Sequence, residues 1–325
     1  MRIKVIGFAL GAMLFALIIG SAPARAADKI PRVGVLFIGG RDQPHLESFK
    51  QGLHEAGYTE GKNIILVYRY AEGKEERLAD LAAELVGEKV DVIVTTAAIS
   101  ALAVRRITRT LPIVMTTGNP IEEGLADSLA KPGGNVTGLS VMLTDMSIKR
   151  LELLKESFPQ RTRVAALWSP REREAAIGFK ETEEAAKVLS LRLHPLEIKS
   201  VDDIDRAFKA MAKARDSALV VILSPLATLN SKRIVELALK HRLPGIYPTR
   251  QFVEEGGLMA YGPLIGDLYR RAATYVDKIL KGRTPADLPI EQPMKFDFIV
   301  NLTAAKQIGV TVPPNVLVRA DKVIR

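Results

Sequence analysis

The sequence predicts an α/β protein of two similar lobes, each a parallel sheet with helices on both faces. Three observations carry this. Short apolar strand signals alternate with amphipathic helix signals almost throughout. The alternation runs through one set of units and starts again near Arg163. The 325 residues, 47% hydrophobic and 26% charged, suffice for two ordinary domains and are too apolar for a disordered chain.

The elements follow in order. Residues 1–26 read as a secretory signal. Arg2 and Lys4 precede an apolar run from Val5 to Gly20, and Ser21–Ala26 ends in small residues. The run is shorter than the roughly 20 residues that a membrane span needs. Cleavage after Ala26 is expected, which exports the chain and removes Arg2, Lys4 and Arg25 from a formal charge of +9. Arg32–Ile38 is a β-rich apolar strand. Leu46, Phe49, Leu53 and Ala56 then share one helical face, and Gly57 ends that helix. Asn63–Tyr70 is a strand, and Leu78, Leu81, Ala82, Leu85 and Val86 form a second helical stripe. Asp91–Thr95 is a strand before a helix that runs to Thr108. Pro112–Met115 is a strand before a helix that starts near Ile121 and stops at Lys131–Gly134. Thr137–Val141 is extended.

The second set begins with strand Arg163–Trp168 and helix Glu172–Leu189. Strand Leu191–Ile198, helix Val201–Arg215, strand Ala218–Leu223 and helix Leu229–His241 follow. Pro244–Tyr247 and Leu258–Tyr261 are short strands. Leu268, Ala272, Val276 and Ile279 mark one more amphipathic helix. Leu288–Val300 reads as a strand, with a short helix from Leu302. Crossovers near Ser140, Gly262 and Lys295 make one lobe from 27–140 plus 263–295 and the other from 141–262 plus 296–325. That layout suits a clamshell with a shared hinge.

Ligands of open parallel sheets sit beyond the carboxyl ends of the strands, where helix N-termini offer free N–H groups. In the first lobe those ends carry Gly40 and Arg41, then Thr96, Ala97 and Ala98, then Thr117, Gly118 and Asn119. In the second lobe they carry Trp168, Ser224 and Tyr247, while Ser140 and Tyr261 lie at crossovers. Each has an ordinary second reading. Small hydroxyl residues are preferred N-caps, glycines make turns, Arg41 can be a solvated surface cation, and Trp168 can be a core aromatic. The signal is recurrence: small hydroxyl residues end consecutive strands of one lobe, and such a cradle suits a carboxylate.

Other chemistries find no support. With no cysteine there is no disulfide, thiolate metal site or thiol nucleophile. His45, His54, His194 and His241 are scattered, without metal-ligand spacing. Neither G-x-S-x-G nor G-x-G-x-x-G occurs at a strand end, and Gly57–Asn63 fails as a phosphate loop. No cofactor or metal is expected. Basic residues interleave with acids along helices and aromatics are 6%, which argues against a nucleic-acid partner.

Several segments are familiar. Phe252–Gly262 has the form Gly-Gly-Leu…Tyr-Gly, and Ala286–Phe296, Asn301-Leu302 and Val312–Asp321 form a closing signature. Gly57–Asn63 and Asn119-Pro120 through Gly138 add two more. With these blocks the mature chain resembles, over nearly its whole length, the tryptophan/tyrosine-binding family of ABC-transporter substrate-binding proteins. The resemblance implies a type I periplasmic-binding-protein fold of two Rossmann-like lobes joined by a hinge. It implies a periplasmic, monomeric, non-enzymatic receptor that hands a small solute, an amino acid or related carboxylate, to an ABC permease. Family contacts would fall on the Thr96–Ala98, Thr117–Asn119 and Ser224 loops. Two departures stand out. Asn119-Pro120 replaces the Asp-Pro of many relatives, and Ser169-Pro170 replaces Asn-Pro. Losing a carboxylate at 119 removes a partner for a ligand ammonium, which admits solutes without an amine. A sensor input to a membrane receptor and, less favoured, an exported enzyme on the same scaffold are the alternatives.

Overall fold

Apolar strands need both faces covered when helices return between them, and the chain does this twice. The computed structural model describes residues 29–41, 44–141 and 144–325. The expected signal segment therefore lies outside the described residues.

In chain order the first run is β1 (Arg32–Phe37), α1 (Pro44–Glu55), β2 (Ile65–Tyr70), α2 (Leu78–Gly87), β3 (Val92–Thr96), α3 (Ala97–Ile107), β4 (Ile113–Thr117) and β5 (Val136–Ser140). The second run is α4 (Thr144–Ser157), β6 (Arg163–Trp168), α5 (Arg173–Val188), β7 (Arg192–Glu197), α6 (Val201–Ala214), β8 (Ala218–Val221), α7 (Pro225–Leu229), α8 (Ser231–Lys240), β9 (Gly245–Tyr247), α9 (Arg250–Glu254) and β10 (Met259–Pro263). Then come α10 (Ile265–Leu280), β11 (Phe296–Asn301), α11 (Leu302–Ile308), α12 (Pro314–Leu317) and β12 (Lys322–Ile324).

Strands β1–β5 form a parallel sheet in the order β2-β1-β3-β4-β5. The rest form a sheet ordered β12-β11-β10-β9-β8-β6-β7. The chain crosses from the first sheet to the second after β5. It returns as α10, which packs on α1 and on the first sheet, and crosses back before β11. Alternation along the strands supplies two cores per sheet. Val33, Val35 and Phe37 face α1 and α10, whereas Leu36, Ile93 and Met115 face α2 and α3. Fully burying each such side chain contributes about 1.5–3 kcal/mol. The second sheet likewise separates Val164, Ala166 and Val220 from Ala165, Leu167 and Leu219. Tyr261 on β10 packs against a core of each lobe, and Leu223 reaches the first lobe's core from the end of β8.

Four sequence expectations differ from the structure. No helix starts near Ile121. The amides of Leu125 and Ala126 return to the Pro120 carbonyl at 2.8 and 3.1 Å, which turns both side chains into the core. Helix α4 was not foreseen: its inward face includes a charged residue, Arg150, beside Leu151 and Leu154. Short helix α7 was not foreseen: Ser224 caps it, and Asn230 separates it from α8, which fills the span expected as helix over Leu229–His241. The tail strand is confined to β11, which runs antiparallel to β10 in an otherwise parallel sheet. A direct return from α10 through 288–295 enters the second sheet from its far end. Where the forecast was good, local chemistry explains it. Ser200 starts α6 with its amide on the Asp203 carboxylate at 2.9 Å, as a capping box does.

Candidate functional site

The carboxyl ends of the two sheets face each other, and the lobes touch there. A Cβ placed on Gly118, just past β4, would lie 2.2 Å from the Glu174 carboxylate at the start of α5. Only glycine lets that carboxyl approach the backbone, and the Gly118 amide donates to it. At a second contact, Leu229 of α7 lies against Gly73.

The first lobe's strand ends are knitted by side chains. The amide of Ile38 donates to Thr96 Oγ1 at 3.2 Å, which ties the end of β1 to that of β3. Ala97 follows with φ +56°. A left-handed alanine costs about 1–2 kcal/mol and persists only where its surroundings fix it. Ala98 is half-buried behind it. Thr117 Oγ1 donates to Glu123 Oε2 at 2.8 Å, and Ser140 Oγ donates to the Gly118 carbonyl at 2.5 Å. Asn119 Oδ1 accepts from the amide of Glu122 at 3.3 Å, so its side chain caps the turn that carries Glu123.

That turn delivers what sequence reasoning missed. Glu123 from the first lobe, on the Thr117 hydroxyl, and Glu174 from the second, against Gly118, bring two carboxyls together at one step of the chain. Burial raises Glu123 to about 7, against the pull of Thr117 and Arg173. Burial and then the Glu123 charge hold Glu174 well above the usual carboxylate range. Glu172 is raised by burial too. The charge missing at Asn119 is therefore restored beside Gly118 by two other acids. Their signal was the placement of each within the first turn after a strand end. It was hidden because both sat in stretches assigned to solvent-facing helix.

An aromatic group adjoins the acids. Tyr269 of α10 is buried where that helix packs on β4 and lies in the field of Glu174. His45 stacks on the Tyr269 ring at 4.4 Å, with Phe37 5.2 Å from the imidazole. Burial lowers His45 to about 4, so the ring is neutral at ordinary pH. Arg41 is exposed, with its guanidinium 5.9 Å from the centre of the Tyr70 ring, and Gly40 lies against the Glu72 carboxylate.

The second lobe's predicted residues divide. Trp168, at the end of β6, stacks on Phe179 at 4.4 Å, and its buried indole N–H has no partner among the described residues. Ser224 caps α7 by accepting from the Ala227 amide at 3.1 Å. Tyr247 corrects an expectation: its ring is 1% exposed and stacks on Phe252 in the core. Gly245 and Gly257 leave the room that draws it there, away from the strand ends. Tyr261 sits on the connecting strand β10, where its carbonyl accepts from Arg150 Nε at 2.8 Å. Arg150 also reaches the Pro248 carbonyl at 3.4 Å and has no carboxylate partner among the described residues. Burial lowers its guanidinium to about 10, which leaves it charged.

A cavity of about 460 Å³ lies elsewhere, lined by Lys50, His54, Tyr58, Glu60 and neighbours. It opens where β2 begins, the wrong end of the sheet for a ligand of this architecture. Among the described residues no three His, Asp or Glu side chains gather as metal ligands would, and no helix is long and apolar enough to cross a membrane.

Known proteins share this architecture. Residues 40–324 match the family described as ABC transporter substrate binding protein. The Tyrosine-binding protein of Clostridioides difficile (strain R20291) is 26% identical over 272 residues, which cover 82% of this chain and 78% of that one. A conserved domain protein of Vibrio cholerae O1 biovar eltor superposes with TM-score 0.84 at 28% identity, over 91% of this chain and 100% of the other. An ABC domain of Streptococcus pneumoniae in complex with L-Trp gives TM-score 0.84 at 26% identity, over 90% and 99%. Both lobes and nearly all the strand ends described above fall within the matched span, and the chain belongs to the ABC transporter substrate binding protein family.

Proposed function

We propose that this chain is an exported, monomeric, non-catalytic receptor that binds an amino acid between its lobes and presents the closed form to an ABC permease. The carrying observation is the pair Glu123 and Glu174, one from each lobe, facing each other where both sheets end. An ammonium placed between them would contact both lobes at once, and contacts to both lobes favour the closed state alone. The pair therefore supports a ligand with an α-amino group over an amine-free carboxylate. The hydroxyl-lined ends at Thr96–Ala98 and Thr117–Gly118 are left for the ligand carboxylate, and Tyr269, His45 and Trp168 for an apolar or aromatic side chain. The relative named Tyrosine-binding protein and the Streptococcus structure in complex with L-Trp support the aromatic class. The hinge is assigned to the three crossings near 140, 263 and 295, with Arg150 bracing β10. Residues 1–26 are assigned to the signal peptide that exports the chain.

The test is a thermal-shift and calorimetric screen of the chain from Ala27 onward. L-Trp, L-Tyr and branched amino acids are compared with the matching amine-free acids. A ligand at about 1,000 times its Kd adds about 4 kcal/mol to the folded state. Stabilisation by amino acids and none by their amine-free analogues is the expected result. The reverse order of response would overturn the assignment of the acids.

A further inference from the structure

Two carboxyl groups held side by side out of water do not both stay charged, and they converge here on Thr117 and Gly118. Here the two come from opposite lobes, and each is held from its own side. Glu123 is oriented by the Thr117 hydroxyl at 2.8 Å. Glu174 is oriented by the amide of Gly118, against which its carboxyl packs.

We propose that Glu123 and Glu174 form a proton-dependent latch, so that the ligand-free protein closes by trapping one proton between its lobes. The inference rests on reading the space between the sheets as the ligand cleft, and adds a control on it. With the lobes apart, both carboxyls meet water and ionise in the usual range. With the lobes together, burial and mutual repulsion forbid two charges, and closure takes up a proton. Closure is therefore favoured at low pH and weakens as pH rises, Glu123 ionising at about 7 and Glu174 keeping its proton well above the usual carboxylate range. The groups around the pair fit this sign. Glu122 on the same turn and Glu172 just before α5 add negative charge, and Arg173 opposes them. Tyr269 from α10 is held neutral, its ionisation pushed up by burial. His45, behind Tyr269, stays uncharged down to about 4.

The chain has no cysteine, so two introduced thiols are unique. Arg106→Cys on α3 and Lys180→Cys on α5 place spin labels on exposed positions of opposite lobes. Pulsed dipolar distances are then recorded without ligand from pH 5 to pH 8. The short-distance population should fall relative to the long one by at least tenfold for each pH unit between 5 and 7. Glu174→Gln, which can donate to Glu123 without a shared proton, should keep the short population at pH 8. A distance distribution that ignores pH, or a pH response that survives in the Glu123→Gln, Glu174→Gln double variant, would overturn the latch. Circular dichroism of each variant confirms that it is folded before distances are compared. Because no solute is present, failure here leaves the ligand screen untouched, and failure of the screen leaves the latch standing.

Discussion

His45 shows how a single buried ring sets a pH limit on this fold. Its imidazole lies between Phe37 and Tyr269 and is lowered to about 4 by burial. In the unfolded chain it titrates near its ordinary value, so the unfolded state binds the extra proton from about pH 6.5 down to 4. The stability contribution of the neutral ring is complete above that window and is lost as pH falls through it. The full loss is about 3 kcal/mol. Glu123 runs the other way: raised to about 7, it favours the folded, closed form as pH falls. The two effects mask each other in a simple melt, and a difference measurement separates them. His45→Phe keeps the stack and removes the proton. Its stability relative to the parent chain should grow by up to about 3 kcal/mol between pH 6.5 and 4, measured by urea denaturation. A constant difference across that range would show that the ring is hydrated in the folded state. Ser224 makes a second local case. It caps α7, so Ser224→Ala should cost about 1 kcal/mol. If capping is its whole role, ligand affinity is unchanged.

Elements meet most tightly where the chain crosses between lobes. On β10, a Cβ on Gly262 would fall 1.9 Å from the Pro248 carbonyl, a backbone atom that cannot swing aside. Gly262→Ala should therefore force β9 and β10 apart at the hinge. It should cost about 1–3 kcal/mol as overpacking does, seen as a lower denaturation midpoint. The same strand explains what could be read from the sequence and what could not. Strands buried on both faces announce themselves as apolar runs, and β1, β3, β4, β6 and β8 are where those runs predicted them. Helices α1, α6 and α10 have clean apolar stripes and were equally legible. Helix α4 hides because Arg150 interrupts its inward face, and the antiparallel β11 hides because direction leaves no trace in composition. The site was half legible for the same reason. Strand-end residues such as Thr117, Gly118 and Ser140 follow from topology alone. Glu123 and Glu174 meet only because a turn and a helix start from opposite lobes converge, a contact across more than one long segment that no local pattern encodes.

In the whole molecule, ligand and proton compete for one place. The acid pair offers a single net negative position when it holds its proton and two when it does not. A solute ammonium entering the closed cleft substitutes for the shared proton as the positive charge between the lobes. Where the ligand-free protein is already latched, below about pH 7, binding must expel that proton. Where it is open, above that range, both carboxyls are already ionised and no proton moves. Titration calorimetry in buffers of different ionisation enthalpy reads this directly. With L-Trp or L-Tyr, at least one proton should be released per ligand at pH 5.5 and fewer at pH 8. Affinity should weaken as the solution is acidified, because the latch competes with the solute. The Glu123→Gln, Glu174→Gln double variant should abolish the release at pH 5.5, since neither amide carries a titrating proton. Proton release that persists in that variant would mean that another group titrates on binding, and the ammonium would have to be placed elsewhere in the cleft. Equal affinity at both pH values with no release would separate the two roles of the pair. Closure would then be proton-linked while recognition of the solute used the hydroxyl-lined strand ends alone.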